Sequence, residues 1–448
     1  MAISVAEVVG QFKADVGQAL SANTIERLCR SVGYVWRKRI LDPVTTVHVF
    51  LLQILHGNMA CTGLSNLAGV SFTAAAYCAA RARLPLAIFE DLLEFLADSV
   101  APQVEQTGRW RGHRTWLVDG SGFSMPDMPQ LQAHFGQPGQ QLPGCGFPVA
   151  RILGLFHAGT GLLLRVLAAP LRTHDMAMAA RVHPDMEPGD VAVGDRGLAS
   201  YAHLAQLSER KMHGVFRSHQ KQIVSFRRGR KHTPQHKPRQ GLPRSRWVRH
   251  LGHWDQLVEY AKPKSQPVWI DDAAWDALPA MLLVREVRYL VRQRGRRTRV
   301  VTLVTTLTDP MTYPAAALAE LYQSRWRVEV NFRHLKTTLG MDVLRCQTVE
   351  GVTKEFLMFA VVYNLIRLVM LEASRRQQAP LERISFVDAW RWLRTAKPGT
   401  PLPPLVVNPD RPGRFEPRVL KRRPKQYPLM TKPRAQLRKL LESKNLAA

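Results

Sequence analysis

The segment YQSRWRVEVNFRHLK, residues 322–336, sets one glutamate among arginines and a lysine on an amphipathic pattern. At roughly 100° per residue, Leu321, Val328, Phe332 and Leu335 fall in one apolar stripe. Tyr322, Arg325, Glu329, Arg333 and Lys336 share the neighbouring sector, so an acid ringed by cations borders a core-facing stripe. Such a face can be a solvated ladder of i,i+4 ion pairs, each worth about 0.2–0.5 kcal/mol. It can also hold one ligand of a cation, with the surrounding arginines and lysine gripping a polyanionic substrate.

Two further acids favour the second role. Asp119, in WLVDG, and Asp195, in VAVGDRG, each close an apolar run. These runs predict strands ending at the two aspartates, where open α/β sheets place reactive side chains. Singly, each aspartate reads as a turn or cap residue. Jointly, if the strands are neighbours and the 314–339 helix packs on them, Asp119, Asp195 and Glu329 converge. Three carboxylates at close quarters repel one another unless they share cations. Hard oxygen ligands suit Mg²⁺ or Mn²⁺. Two such ions about 3.5–4 Å apart activate the attacking oxygen and stabilise the leaving oxygen of a phosphodiester. Asp119 would bridge both ions, with Asp195 and Glu329 each holding one, while Tyr322, Arg325 and Lys336 contact phosphate.

The rest of the chain agrees. Lys and Arg number 63 against 35 Asp and Glu, and the net charge of +28 points to nucleic acid. With 448 residues, 46% hydrophobic, the chain suits about two to four domains. Five scattered cysteines without a CxxC pair indicate neither a zinc ribbon nor a disulfide framework. His232 and His236 read as solvated loop residues. The N-terminal MAISVAEVVGQFKADVG has no leader pattern, and FLMFAVVYNLIRLVMLEA, with Asn364 and Arg367, reads as a buried helix rather than a membrane span. A cytoplasmic, nucleoid-associated bacterial protein is expected.

Residues 1–100 predict helices. Within them, LSNLAGVSFTAAAYCAARARLP is either a helix-turn-helix, with Arg81 and Arg83 near its end, or a plain helical hairpin. Residues 101–220 alternate strands and helices and imply a mixed sheet flanked by helices. Residues 221–310 break that rhythm. The basic run KQIVSFRRGRKHTPQHKPRQGLPRSRWVRH predicts loops or a flexible ribbon, and later strands interspersed with tryptophans predict an inserted strand-rich subdomain. A helix returns over 311–345, further helices follow over 346–395, and residues 396–448 form a Pro-rich basic tail suited to phosphates.

Tyr322, two residues, Arg325, three residues, Glu329, six residues, Lys336 resembles the Y-(2)-R-(3)-E-(6)-K signature of IS4-family DDE transposases. DGSGFSMPD at 119 and GDRG at 194 are similar to that family's two aspartate regions, and the resemblance spans roughly 60–440. It implies an α/β, RNase H-like mixed-sheet catalytic core with a β-strand-rich insertion, a helical N-terminal domain and a helical, basic C-terminal region. It implies Mg²⁺-dependent cleavage at insertion-sequence ends, 3′-OH strand transfer into double-stranded target DNA, and a homodimer in a synaptic complex. In relatives that form hairpins, a tryptophan of the insertion accepts a flipped base. Trp254 is the candidate here, and Trp326 a second stacking residue. The competing expectations are an RNase H-like endonuclease or resolvase that hydrolyses without joining, and a domesticated, non-catalytic DNA-binding protein.

Overall fold

A computed structural model describes residues 2–11, 14–106, 108–139, 141–233, 242–291, 298–407 and 430–445. His236 and residues 408–429 and 446–448 of the expected basic tail lie outside the described residues.

Nine strands form one mixed sheet: β1 Thr115–Ser124, β2 Val149–His157, β3 Leu163–Pro170, β4 Val191–Gly194, β5 His213–Arg217, β6 Ser245–Gly252, β7 Asp255–Ala261, β8 Met281–Val291 and β9 Arg299–Thr305. Their spatial order is β3-β2-β1-β4-β5-β9-β8-β7-β6. The three parallel strands are the apolar runs WLV, VAV and GVF, buried along their length because helices cover both faces. Asp190 joins the starts of β1 and β4. It accepts from Arg114 Nε at 2.8 Å and from Trp116 Nε1 at 2.8 Å, which pins the parallel register.

The strand expected to end at Asp119 runs on to Ser124. Gly120 to Ser124 keep antiparallel partners in β2, from Leu153 to Val149, so the Asp-Gly pair does not turn the chain. Only the parallel pairing with β4 stops, at Val118↔Gly194. The strands of the 221–310 insertion extend this same sheet, because β9 pairs antiparallel with β5 through Val215↔Thr305 and Arg217↔Leu303. Part of the basic run expected as loops or a flexible β-ribbon is strand β6, paired antiparallel with β7 with register shifts at Trp247/Arg249 and His250/Gly252.

The N-terminal helices include Ala22–Ser31, Pro43–Leu55 and Leu86–Gln106. Between the last two, Leu64–Ala68, Gly69 at φ +66° and Ala74–Arg83 make a helix, a turn and a helix. Arg81 does not serve that unit's surface. It is buried, donates to Gln53 Oε1 at 2.9 Å and lies over the Phe50 ring at 4.7 Å.

The apolar helix Val349–Arg376 is the one described helix long and apolar enough to cross a membrane, and 89% of its most apolar window is buried in the protein. Its polar residues clamp the β2–β3 turn. Asn364 pairs with both backbone groups of Leu163 at 2.8 Å, Tyr363 donates to Gly161 O at 2.8 Å, and Arg367 donates to Thr160 O at 3.0 Å. Gly161 sits at φ +69°, and a Cβ there would lie 2.1 Å from the Arg367 guanidinium. Gly161→Ala therefore combines left-handed strain with a displaced buried cation, and urea unfolding should show a loss of about 1–3 kcal/mol. An unchanged midpoint would mean the turn relaxes freely.

Candidate active site

The parallel register sets the site. Val118, Gly194 and Phe216 are the last partners across β1, β4 and β5, so Asp119, Asp195 and Arg217 each stand one residue beyond that shared rung, at adjacent ends of the parallel pairing. The glycines after each aspartate aim the carboxylates. Gly120 N–H donates to Asp119 Oδ1 at 2.9 Å, and Gly197 N–H donates to Asp195 Oδ1 at 2.7 Å. The Asp-Gly and Asp-Arg-Gly spacings are thus local devices that orient acids at a strand end.

Glu329 reaches the same point from a helix that is less uniform than its periodicity predicts. Pro314 opens it and Gly340, at φ +84°, follows its end, as expected. Between them lie Ala315–Ser324, a tightened turn at Arg325, then Trp326–Arg333 and a π turn over His334–Thr338. The π turn widens the helix where Lys336 must reach back to β1. Lys336 Nζ donates to Gly122 O at 2.6 Å and to Ser121 Oγ at 3.2 Å. Burial pulls its ammonium below the ordinary lysine range. Lys336 thus fastens the helix to the strand that carries Asp119.

Arg325 stands between two of the three acids. Its guanidinium donates to Asp119 Oδ2 at 3.0 Å and to Glu329 Oε1 at 2.9 Å. Its side chain is 16% exposed, against 18% for Asp119 and 38% for Glu329. The i,i+4 pair with Glu329 is therefore not a simple solvated ladder, because the same guanidinium also bridges to the sheet. Tyr322 lies beneath it, with its ring 5.8 Å from the Arg325 guanidinium carbon. The Asp119 carboxyl is pushed up to about 6, by burial first; Arg325 pulls it down, while Asp195 and Glu329 push it up.

Among the described residues no group of three His, Cys, Asp or Glu side chains is gathered tightly enough to hold a metal. Arg325 stands between two of the acids, donating to both Asp119 and Glu329. The donor chemistry nonetheless fits a hard divalent cation. Asp195 and Glu329 both act electrostatically on Asp119, whose carboxyl is pushed up to about 6 by burial first and also by these two acids.

Other expected residues lie around this centre. Trp326 is 63% exposed and Arg333 is exposed, both free of the core. Trp254 occupies the β6–β7 turn at φ +56°, its ring packed on His253 at 4.6 Å and its carbonyl accepting from Arg288 N–H at 2.9 Å. Asp255 follows it on the rung Arg217↔Leu303↔Val287↔Asp255. Trp254 therefore borders the Arg217 rung, but four strand spacings from β4, about 19 Å away. It does not join them within one chain. Sequence reasoning missed Arg217, a half-buried cation at the end of the third parallel strand that acts electrostatically on Tyr322. A lone arginine in HGVFRSH carries no spacing signal. Its place at a parallel-strand end, like those of Asp119 and Asp195, was the available clue.

Comparison with known proteins follows this geometry. The family described as "Transposase DDE domain" matches residues 110–365, more than half the chain and the whole stretch from β1 past the Glu329 helix. Transposase InsG for insertion sequence element IS4, from Escherichia coli (strain K12), is 23% identical over 343 residues, covering 72% of this chain and 71% of that protein. The InsZ protein of the same strain is 25% identical over 181 residues, covering 40% of this chain and 58% of InsZ. A piggyBac transposase synaptic complex with hairpin DNA overlays at a TM-score of 0.44 with 10% identity, covering 84% of this chain and 77% of that one, too loosely to bear on the argument. On the family match and its IS4 relatives, the chain belongs to the transposase DDE domain family, as a DNA transposase of the IS4 type.

Proposed function

We propose that this transposase cuts DNA at the ends of its insertion sequence and joins the freed 3′-OH ends to target DNA, with Asp119, Asp195 and Glu329 as its catalytic acids. The observation that carries the reading is the adjacent strand ends of Asp119, Asp195 and Arg217, closed from above by Glu329 and Arg325. The three carboxylates would hold two Mg²⁺ ions, with Mn²⁺ able to substitute, and when bound the metal would supply Lewis-acid stabilisation and a lowered pKa for the attacking water or hydroxyl. Asp119, beside Asp195 on the neighbouring strand and joined through Arg325 to Glu329, would be the acid shared between the two metal positions.

The chain's own cations would position the substrate. Arg325, released from Asp119 and Glu329, is available with Arg217, Tyr322 and exposed Arg333 to grip phosphate oxygens beside the scissile bond. Lys336 would act mainly by holding the helix on β1, and exposed Trp326 offers a stacking surface. Because Trp254 is too far from the acids of its own chain, we assign it a role only once DNA spans that distance. Two ends must be brought together, so the working form would be a homodimer acting at the nucleoid. The helices of 1–100 and the basic tail would serve DNA binding around the catalytic core.

The test uses labelled duplexes from the DNA flanking the reading frame, with Mg²⁺, comparing wild type and Glu329→Gln. Wild type should cut and join, and the variant should lose at least about a hundredfold in rate with DNA binding kept. Hydrolysis without joining would replace the reading with an endonuclease or resolvase. Binding without cleavage of the correct ends would replace it with a domesticated DNA-binding protein.

A further inference from the structure

A cavity of about 260 Å³ lies behind the helix that carries Glu329. Arg327, Val330, Asn331 and His334 line one wall, and at roughly 100° per residue they share the helix face turned away from Glu329. The β2–β3 turn, Arg367 and Met370 of Val349–Arg376, and the segment Leu381 to Ile384 close the other sides. None of Asp119, Asp195 and Glu329 lines it, so it is separate from the candidate active site.

The walls carry more polar capacity than the protein itself uses. Asn331 is 4% exposed, yet its amide makes no hydrogen bond among the described residues. His334 Nδ1 is buried without a partner, and its ring stacks on Phe386 with centroids 4.0 Å apart. Burial first, then Arg367 and Arg333, push this imidazole down to about 3, so it is neutral near pH 7. Arg367 is buried with no carboxylate paired to it among the described residues. Its Nε donates to Thr160 O at 3.0 Å, while Nη1 meets the Met370 sulfur at 3.7 Å, a weak acceptor. The acid lining the cavity, Glu382, is already paired with Arg327 at 2.5 Å. One unmatched buried positive charge is left, beside an amide and an imidazole with unused hydrogen-bonding capacity. Such groups are costly to bury unless something meets them.

We infer that this cavity binds a small monocarboxylate, its charge held by Arg367 and its remaining lone pairs and body met by Asn331, His334 and the apolar wall. A guanidinium fork matches a carboxylate in geometry, and one unmatched charge suits a monoanion better than a doubly charged phosphate. Val330, Met370 and Ile384 offer apolar surface to a compact hydrocarbon body. The volume lies just under the roughly 300–1,000 Å³ of clefts that take drug-sized ligands, so the molecule is small. Once bound, it joins Asn331 and His334 on the Glu329 helix to Arg367 on Val349–Arg376. Occupancy therefore braces the helix that carries Glu329 from its far side.

The test is equilibrium dialysis of the full chain against radiolabelled benzoate, with unlabelled benzoate or its neutral isostere benzamide as competitor. Ionic strength is held constant with chloride, because a chain of net charge +28 attracts any anion. Benzoate should bind at one per chain with a Kd of about 1 mM or tighter, and benzamide should compete at least about tenfold more weakly. Val330→Phe fills the cavity and leaves Arg367 in place, so it should weaken benzoate by about tenfold or more with circular dichroism unchanged. Arg367→Met should do the same by removing the charge. Because Arg367 also clamps the β2–β3 turn, Val330→Phe decides the matter if that variant does not fold. The inference is overturned by no saturable binding up to about 20 mM benzoate, well above that Kd. Equal competition by benzamide overturns it too, as does a Val330→Phe variant that binds benzoate like wild type.

Discussion

Asp119→Asn should abolish cleavage and joining while making the metal-free protein more stable at neutral pH. Its carboxyl is pushed up to about 6 by burial and by Asp195 and Glu329, so the folded protein holds a proton there that the unfolded chain, with an ordinary aspartate near 3.8, has released. An acid raised on folding makes stability fall as pH rises between those two values, and above about pH 6 the full cost is present. Removing the charge should recover about 1–3 kcal/mol at pH 7.5 and almost nothing at pH 4. Urea unfolding of wild type and variant in EDTA at the two pH values measures this difference directly. A gap independent of pH would show that Asp119 is not the strained acid. The paired loss of activity and gain of stability is the usual trade-off where function requires charges held close together.

Asp255→Ala should cause a larger loss of stability. Asp255 and Arg285 form a bidentate pair at 2.8 and 2.6 Å with Arg285 fully buried, and Arg285 also donates to Tyr313 O at 2.6 Å. Deleting the aspartate leaves an unpaired guanidinium inside the sheet, an expected cost of about 3–5 kcal/mol in urea unfolding. Because Tyr313 immediately precedes the helix carrying Glu329, cleavage should also fall at temperatures where the protein is still folded. Replacing both members by leucine and methionine should restore much of the stability, since the burial penalty vanishes with the charges. If the single variant unfolds like wild type, the insertion strands do not support the catalytic helix as argued.

The three acids and the Tyr322, Arg325, Glu329, Lys336 spacing were legible before any fold was known. Strand alternation, a 3.6-residue stripe and Asp-Gly turn chemistry are local properties, each set by residues a few positions apart. The same locality explains why Gly340 ends the helix and why Asn364 and Arg367 argued for a buried helix rather than a membrane span.

What a stretch of chain does once distant partners reach it is another matter. The Asp-Gly pair promised a turn, yet β2 supplies hydrogen-bond partners as far as Ser124, and the strand continues. Arg81 stood near the end of the expected helix-turn-helix or hairpin, and Gln53, Tyr77 and Phe50 enclose it. Arg217 acquires meaning only when β4 and β5 pair in parallel and bring it beside Asp195. Arg325, separated by 206 positions from Asp119, bridges it to Glu329. The sequence by itself singled out the acids and cations proposed for the chemistry and the strands and helix that carry them. Tertiary structure decided their register, their charge states and which cation stands between which acids, because those depend on strand pairing and burial across hundreds of residues, which no local pattern encodes.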